Sequence, residues 1–182
     1  MKNLFLSVAL LITFGLVAFA TPCYAQKKAQ KKADKATLVW EYEIEPTTGQ
    51  AVQGSILVMV WSYSKSKEVA LEQAGKNAVH GVLFKGVAGL KDGHNRVPEQ
   101  KPMVTDVTAE ETHAKFLKEF FSDGGKYMKY VNFVNNGIPG PGDIIKVGKE
   151  YKVGVRVSVA KDALRKEMEA AGIVKALGAG FN

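Results

Sequence analysis

The sequence predicts an α+β fold: one antiparallel sheet of about four strands, with helices layered on one face. Three observations predict it. Several segments alternate with the two-residue period of strands, others carry the 3.6-residue period of helices, and the order is β-β-α-α-β-β-α. That order lacks the regular strand–helix alternation of a parallel, doubly wound sheet. A chain of 182 residues suits roughly one domain, assigned to residues 37–182. With 46% hydrophobic and 24% charged residues, the composition excludes a disordered chain, a collagen-like chain and a multi-span membrane protein.

The elements follow in order. Residues 37–45 alternate strictly: Leu38, Trp40, Tyr42 and Ile44 point one way, and Glu41, Glu43 and Glu45 the other. This is a half-buried strand. Pro46-Thr-Thr-Gly49 is turn chemistry. Residues 55–63 are apolar on both faces, which marks an inner strand whose second face is covered or meets a partner. Over residues 67–84 the period changes, with Leu71, Ala74, Ala78 and Val82 at helical spacing. Ala74, Gly75, Ala78 and Gly81 keep one side slim, so this helix can lie close to a sheet. Ser64 or Ser66 is its expected N-cap.

Residues 86–103 read as a loop rich in Gly, Pro and polar residues. Thr108-Ala-Glu-Glu111 has the spacing of a capping box. The helix after it presents Phe116, Leu117, Phe120 and Phe121 and stops at Gly124-Gly125. Residues 126–135 read as a third strand, and Gly137-Ile-Pro-Gly-Pro-Gly142 as a stiff turn. Residues 151–159 form the clearest strand, with Tyr151, Val153, Val155, Val157 and Val159 inward and Lys152, Arg156 and Ser158 outward. If the first and last strands pair, these cations face Glu41 and Glu43. A last helix over residues 162–171 packs Leu164 and Met168.

The first 25 residues carry a short positive start at Lys2, an apolar run over residues 4–20 and Ala25 as a small residue at a cleavage point. This is the pattern of a secretory signal peptide. Cys23 follows Pro22, a poor setting for a lipoprotein cysteine, so lipid anchoring is the less favoured alternative. Cleavage after Ala25 leaves a mature chain without cysteine, hence without disulfides or thiol chemistry, in the periplasm or outside the cell.

Of 25 basic and 18 acidic residues, the leader removes only Lys2, leaving a balance of +6. Five cations fall in the next ten residues: Lys27, Lys28, Lys31, Lys32 and Lys35, against Asp34. Residues 26–36 contain no apolar side chain larger than Ala and form a flexible basic arm. The arm can reach anionic lipid headgroups or envelope polymers. It lacks the interleaved aromatics of a nucleic-acid binder, so no nucleic-acid partner is expected.

The chemistry-bearing residues are sparse. His80, His94 and His113 are isolated, no zinc-binding spacing occurs, and no metal or cofactor is expected. His80 and His113 read as helix residues at the edge of the core. Ser62-Tyr63-Ser64-Lys65 has the Ser-x-x-Lys spacing but sits at a strand-to-helix turn, without the further motifs of that nucleophile. The Gly-rich stretches lack a phosphate loop's Lys-Ser/Thr ending. No catalytic set emerges. The aromatic residues Trp61, Tyr63, Tyr127 and Tyr130 instead lie on expected strands, whose second face is either covered or open to a partner or glycan.

The segment Tyr63-Ser-Lys-Ser-Lys-Glu-Val-Ala-Leu-Glu-Gln-Ala-Gly-Lys-Asn-Ala-Val79 leads from a strand into an Ala-spaced helix. The ending Val153-Gly-Val-Arg-Val-Ser-Val159, then Leu164-Arg-Lys-Glu-Met-Glu-Ala-Ala-Gly-Ile173, is a strand and a helix. Together these resemble uncharacterised exported proteins of Gram-negative bacteria and, distantly, the small α+β modules of envelope lipoproteins and flagellar or curli outer-membrane accessory proteins. The resemblance implies a non-enzymatic module of envelope assembly and carries over no functional residue.

The function expected is therefore binding or assembly in the cell envelope. Trp61, Tyr63, Tyr127 and Tyr130, with Lys27, Lys28, Lys31 and Lys32, would contact an envelope protein or polymer. Two alternatives stand beside it. One is a carrier with a pocket between the sheet and the Phe116/Phe120 helix. The other is an exported hydrolase using dispersed carboxylates such as Asp92, Glu99 or Asp106.

Overall fold

A computed structural model of the chain describes residues 40–49, 51–93, 95–122 and 124–176. The expected leader (1–25), the basic arm (26–36) with Lys27, Lys28, Lys31 and Lys32, residues 37–39, His94 and residues 177–182 lie outside the described residues.

The fold is α+β. Strands β1 (Tyr42–Pro46), β2 (Ile56–Ser64) and β7 (Glu150–Val159) lie side by side, with β2 in the middle of the three. Two short strands share the far edge of β7. β5 (Val131–Phe133) pairs with its C-terminal end, Val159 to Val157, and β6 (Ile144–Val147) with its N-terminal end, Val153 to Glu150. All pairings are antiparallel. A separate hairpin, β3 (Leu90–Asp92) with β4 (Asn95–Val97), occupies the segment read as a loop.

The two-residue period decides the faces. Tyr42 and Ile44 of β1, Val58, Val60 and Ser62 of β2, and Val153, Val155, Val157 and Val159 of β7 stand in register on one side. That inner face meets helix α1 (Lys67–His80), which packs on β2 and β7 and continues as a π-helical turn, Gly81–Lys85. The slim side works as the sequence predicts. A Cβ at Gly81 would lie 2.6 Å from Ile44 Cδ1, and one at Gly75 3.0 Å from Phe133 Cζ. The two glycines let the helix touch the sheet near both edges. Ser66 takes the N-cap position, but its hydroxyl bonds Glu68 rather than capping the helix.

Above α1 lie α2 (Ala109–Thr112), α3 (Ala114–Phe120) and a 3₁₀ turn, Lys126–Tyr130; α4 (Lys161–Ala170) follows β7. Phe120, Phe121, Tyr127, Leu164 and Met168 join one buried cluster with α1 and the inner face. Residues 73–80 of α1 are consequently buried on every side.

Three expectations are corrected. The strand expected over residues 126–135 is mostly 3₁₀, with only Val131–Phe133 extended. Tyr127 and Tyr130, three residues apart, project from one side of that turn into the core. The capping box does not close: Thr108 gives its backbone N–H and hydroxyl to Asp106 Oδ1, at 2.9 and 2.8 Å, and α2 carries no side-chain cap. The first and last strands are not neighbours, because β2 separates them. β6, absent from the sequence reading, adds a fifth strand to the sheet.

Candidate interaction surface

The other side of the sheet carries Glu43 and Glu45 on β1, Leu57, Met59, Trp61 and Tyr63 on β2, and Lys152, Gly154, Arg156 and Ser158 on β7. Glu45, Met59 and Arg156 stand side by side, as do Glu43, Trp61 and Gly154. Across β1, β2 and β7 the face therefore has an acidic column, an apolar and aromatic column, and a column with Lys152 and Arg156 that begins at Glu150; beyond it lie Ile145 of β6 and Asn132 of β5.

Gly154 shapes the centre of this face. A Cβ there would lie 2.7 Å from Trp61 Cζ3 and 2.9 Å from Cε3 and Cη2. The missing side chain lets the indole lie over the neighbouring strand. Its Nε1–H donates to Glu45 Oε2 at 3.0 Å, which holds the ring in place. Tyr63 donates its hydroxyl to Glu43. Lys152 Nζ donates to Glu43 Oε2 at 2.6 Å, 5.1 Å from the Trp61 ring centroid and 5.5 Å from that of Tyr63. The Lys152 ammonium holds the Glu43 carboxyl below its ordinary range, and that bond raises the Lys152 ammonium. Burial and the bond to Glu43 push the Tyr63 phenol up.

Trp61 and Tyr63 thus come together where the sequence expects them. Tyr127 and Tyr130 do not join them. They are 5% and 9% exposed and belong to the core on the opposite side of the sheet. Tyr130 donates its hydroxyl to Glu167 Oε2 at 3.1 Å and stacks on Phe120. The space assigned to a carrier pocket is filled by α1, and Phe120 is only 2% exposed. Among the dispersed carboxylates, Asp106 is occupied with Thr108 and Glu99 lines a groove of about 260 Å³ at the end of the sheet, with Thr47, Arg96 and Lys161. Asp92 falls on β3. Among the described residues, no three His, Cys, Asp or Glu side chains gather as metal ligands. No described helix is long and apolar enough to cross a membrane.

A second polar cluster lies under the opposite face. His80, only 4% exposed, stacks on Trp40 with ring centroids 3.7 Å apart. Its Nε2 is 2.8 Å from Glu110 Oε1 and its Nδ1 2.6 Å from the Tyr42 hydroxyl. A carboxylate only accepts, so Nε2 carries the proton and Nδ1 accepts from Tyr42. Burial lowers the His80 imidazole to about 4, with Glu110 pulling against it, and burial raises the Tyr42 phenol. Trp40 reaches this stack with a φ of 48°, a backbone region that is costly for a bulky residue. Asn77 adds a buried bond from Nδ2 to Ser62 Oγ, at 2.8 Å. That bond commits the hydroxyl of the Ser-x-x-Lys spacing to the core, while Lys65 is exposed. Gln73, Lys76, Asn77 and His80 recur at i, i+3, i+4 and i+7, the one signal in the sequence that pointed to this buried polar stripe.

Comparison with protein-family models, with curated proteins and with solved structures finds no match.

Proposed function

We propose that the chain is an exported, non-enzymatic binding or assembly module of the cell envelope, and that it holds its partner on the outer sheet face. The observation that carries this reading is Trp61 laid over Gly154 beside Tyr63, ringed by Glu43, Glu45, Lys152 and Arg156. Trp, Tyr and Arg dominate the energetic centres of protein interfaces. Here the aromatic rings are pre-positioned by hydrogen bonds, so little conformational freedom remains to be lost on binding. The signal-peptide pattern supports export, and the lysines of residues 26–36 support a second, electrostatic contact with an anionic envelope surface.

The test is cross-linking in the native host with wild type and with Trp61→Ala/Tyr63→Ala. An adduct formed by the wild type and lost in a variant that melts normally supports the reading. An adduct unaffected by both substitutions sinks it. Intact mass of the exported protein tests cleavage after Ala25 separately.

A further inference from the structure

We infer that the occupant of the outer sheet face is a second copy of this chain, packed face to face about a two-fold axis parallel to β2. This rests on the reading of that face as the contact surface and adds the identity of the partner. The charge pattern carries it. β1 places Glu43 and Glu45 on this face; β2 places Leu57, Trp61 and Tyr63 there, with Met59 only 9% exposed among them; β7 places Lys152, paired with Glu43 of its own chain, and the exposed Arg156. A two-fold axis above the middle column exchanges the two sides, so Glu45 on the acidic side lies over the partner's Arg156 on the basic side, while Lys152 stays paired with Glu43 of its own chain.

The register makes the match specific. Glu45, Met59 and Arg156 share one row across three adjacent strands. With the axis over Met59, Glu45 of each copy faces Arg156 of the other, twice per dimer, as isologous symmetry requires. Arg156 is exposed and makes no ion pair among the described residues, so it is available for this contact. Face-to-face sheets of this kind pack about 10 Å apart, with mean strand directions within about 30° of each other, which an axis parallel to β2 satisfies. A partner of uniform charge would meet repulsion on one of the two columns; a copy of the same face does not.

The experiment is sedimentation equilibrium of the full chain, as its host processes it, for wild type, Glu45→Lys, Arg156→Glu and a 1:1 mixture of the two variants. Each variant is first checked by circular dichroism and melting. The wild type is expected at twice the chain mass, each variant at about tenfold or more weaker association, and the mixture back at the dimer, because unlike copies meet in one Glu–Arg and one Lys–Glu contact whereas like copies meet in two like-charge contacts. If Glu45→Lys fails to fold, Glu45→Gln with Arg156→Gln gives the same loss without reversal. A wild type that stays monomeric up to about 100 μM overturns the inference, as does a mixture that stays monomeric. A monomer that still cross-links through Trp61 and Tyr63 to another protein removes only the second copy. Loss of both removes the contact surface as well.

Discussion

Lys152 and Glu43 are 109 residues apart and lie on strands that do not touch, yet Nζ and Oε2 are 2.6 Å apart. The lysine crosses the middle strand over Tyr63, which is its register partner and itself donates to Glu43. The sequence anticipates an attraction between the first and last strands through direct pairing. The structure reaches it across an intervening strand, with an aromatic ring beneath the ion pair.

Replacing Glu43 with Gln should cost little stability, on the order of 0.5 kcal/mol, because the pair is largely exposed and water screens it. The sharper readout is the Tyr63 phenol, which Glu43 helps to hold up. In the variant it should ionise at lower pH, seen as an earlier tyrosinate absorbance step in a difference titration against wild type. An unchanged step would show that burial alone sets its ionisation.

The His80 environment gives a signed pH dependence. Its folded value of about 4 lies below the ordinary 6.5, so the unfolded chain binds more protons between these values. The contribution of neutral His80 is complete above pH 6.5 and is lost as pH falls toward 4. The full swing is about 3 kcal/mol, an order-of-magnitude figure. Urea unfolding at pH 7.5, 5.5 and 4 should show wild type losing more stability than His80→Gln across this window. Parallel losses in the two proteins would refute it.

Gly154→Ala tests the indole platform. The added methyl would sit 2.7–2.9 Å from three ring carbons of Trp61, so the rigid ring must lift. The bond from Nε1 to Glu45 should break with it. Expected are a weakened near-ultraviolet Trp signal, a red-shifted emission and a loss of about 1–3 kcal/mol in stability. A wild-type spectrum would mean that the ring does not rest on Gly154.

Strong local periods were legible. The alternation around Tyr42 to Glu45 and from Tyr151 to Val159, and the helical spacing from Leu71 to Val82, each describe a surface that one long element must bury. Tyr127 and Tyr130 were not legible, since a spacing of three beside apolar neighbours suits a strand and a 3₁₀ turn alike. β6 was missed because four residues, two of them Ile, show no period between turn residues. Trp61 and Tyr63 could be read as exposed aromatics on a strand. That Trp61 rests on Gly154 could not, because it depends on a pairing between residues far apart in sequence. The same holds for His80, whose partners Tyr42 and Glu110 lie 38 and 30 residues away.

The longest of the described strands is also the last of them. β7 is the partner of β2, β5 and β6, so of the five strands in this sheet only β1 and β2 can pair before residues 150–159 exist. A two-stranded ribbon is marginal in water by itself. The sheet therefore cannot form before residues 150–159 are available, and the closing steps join segments distant in the chain. Such long-range closure slows folding and leaves the apolar runs of β2 and α1 exposed for longer. A chain lacking residues 150–159 has no route to the native sheet.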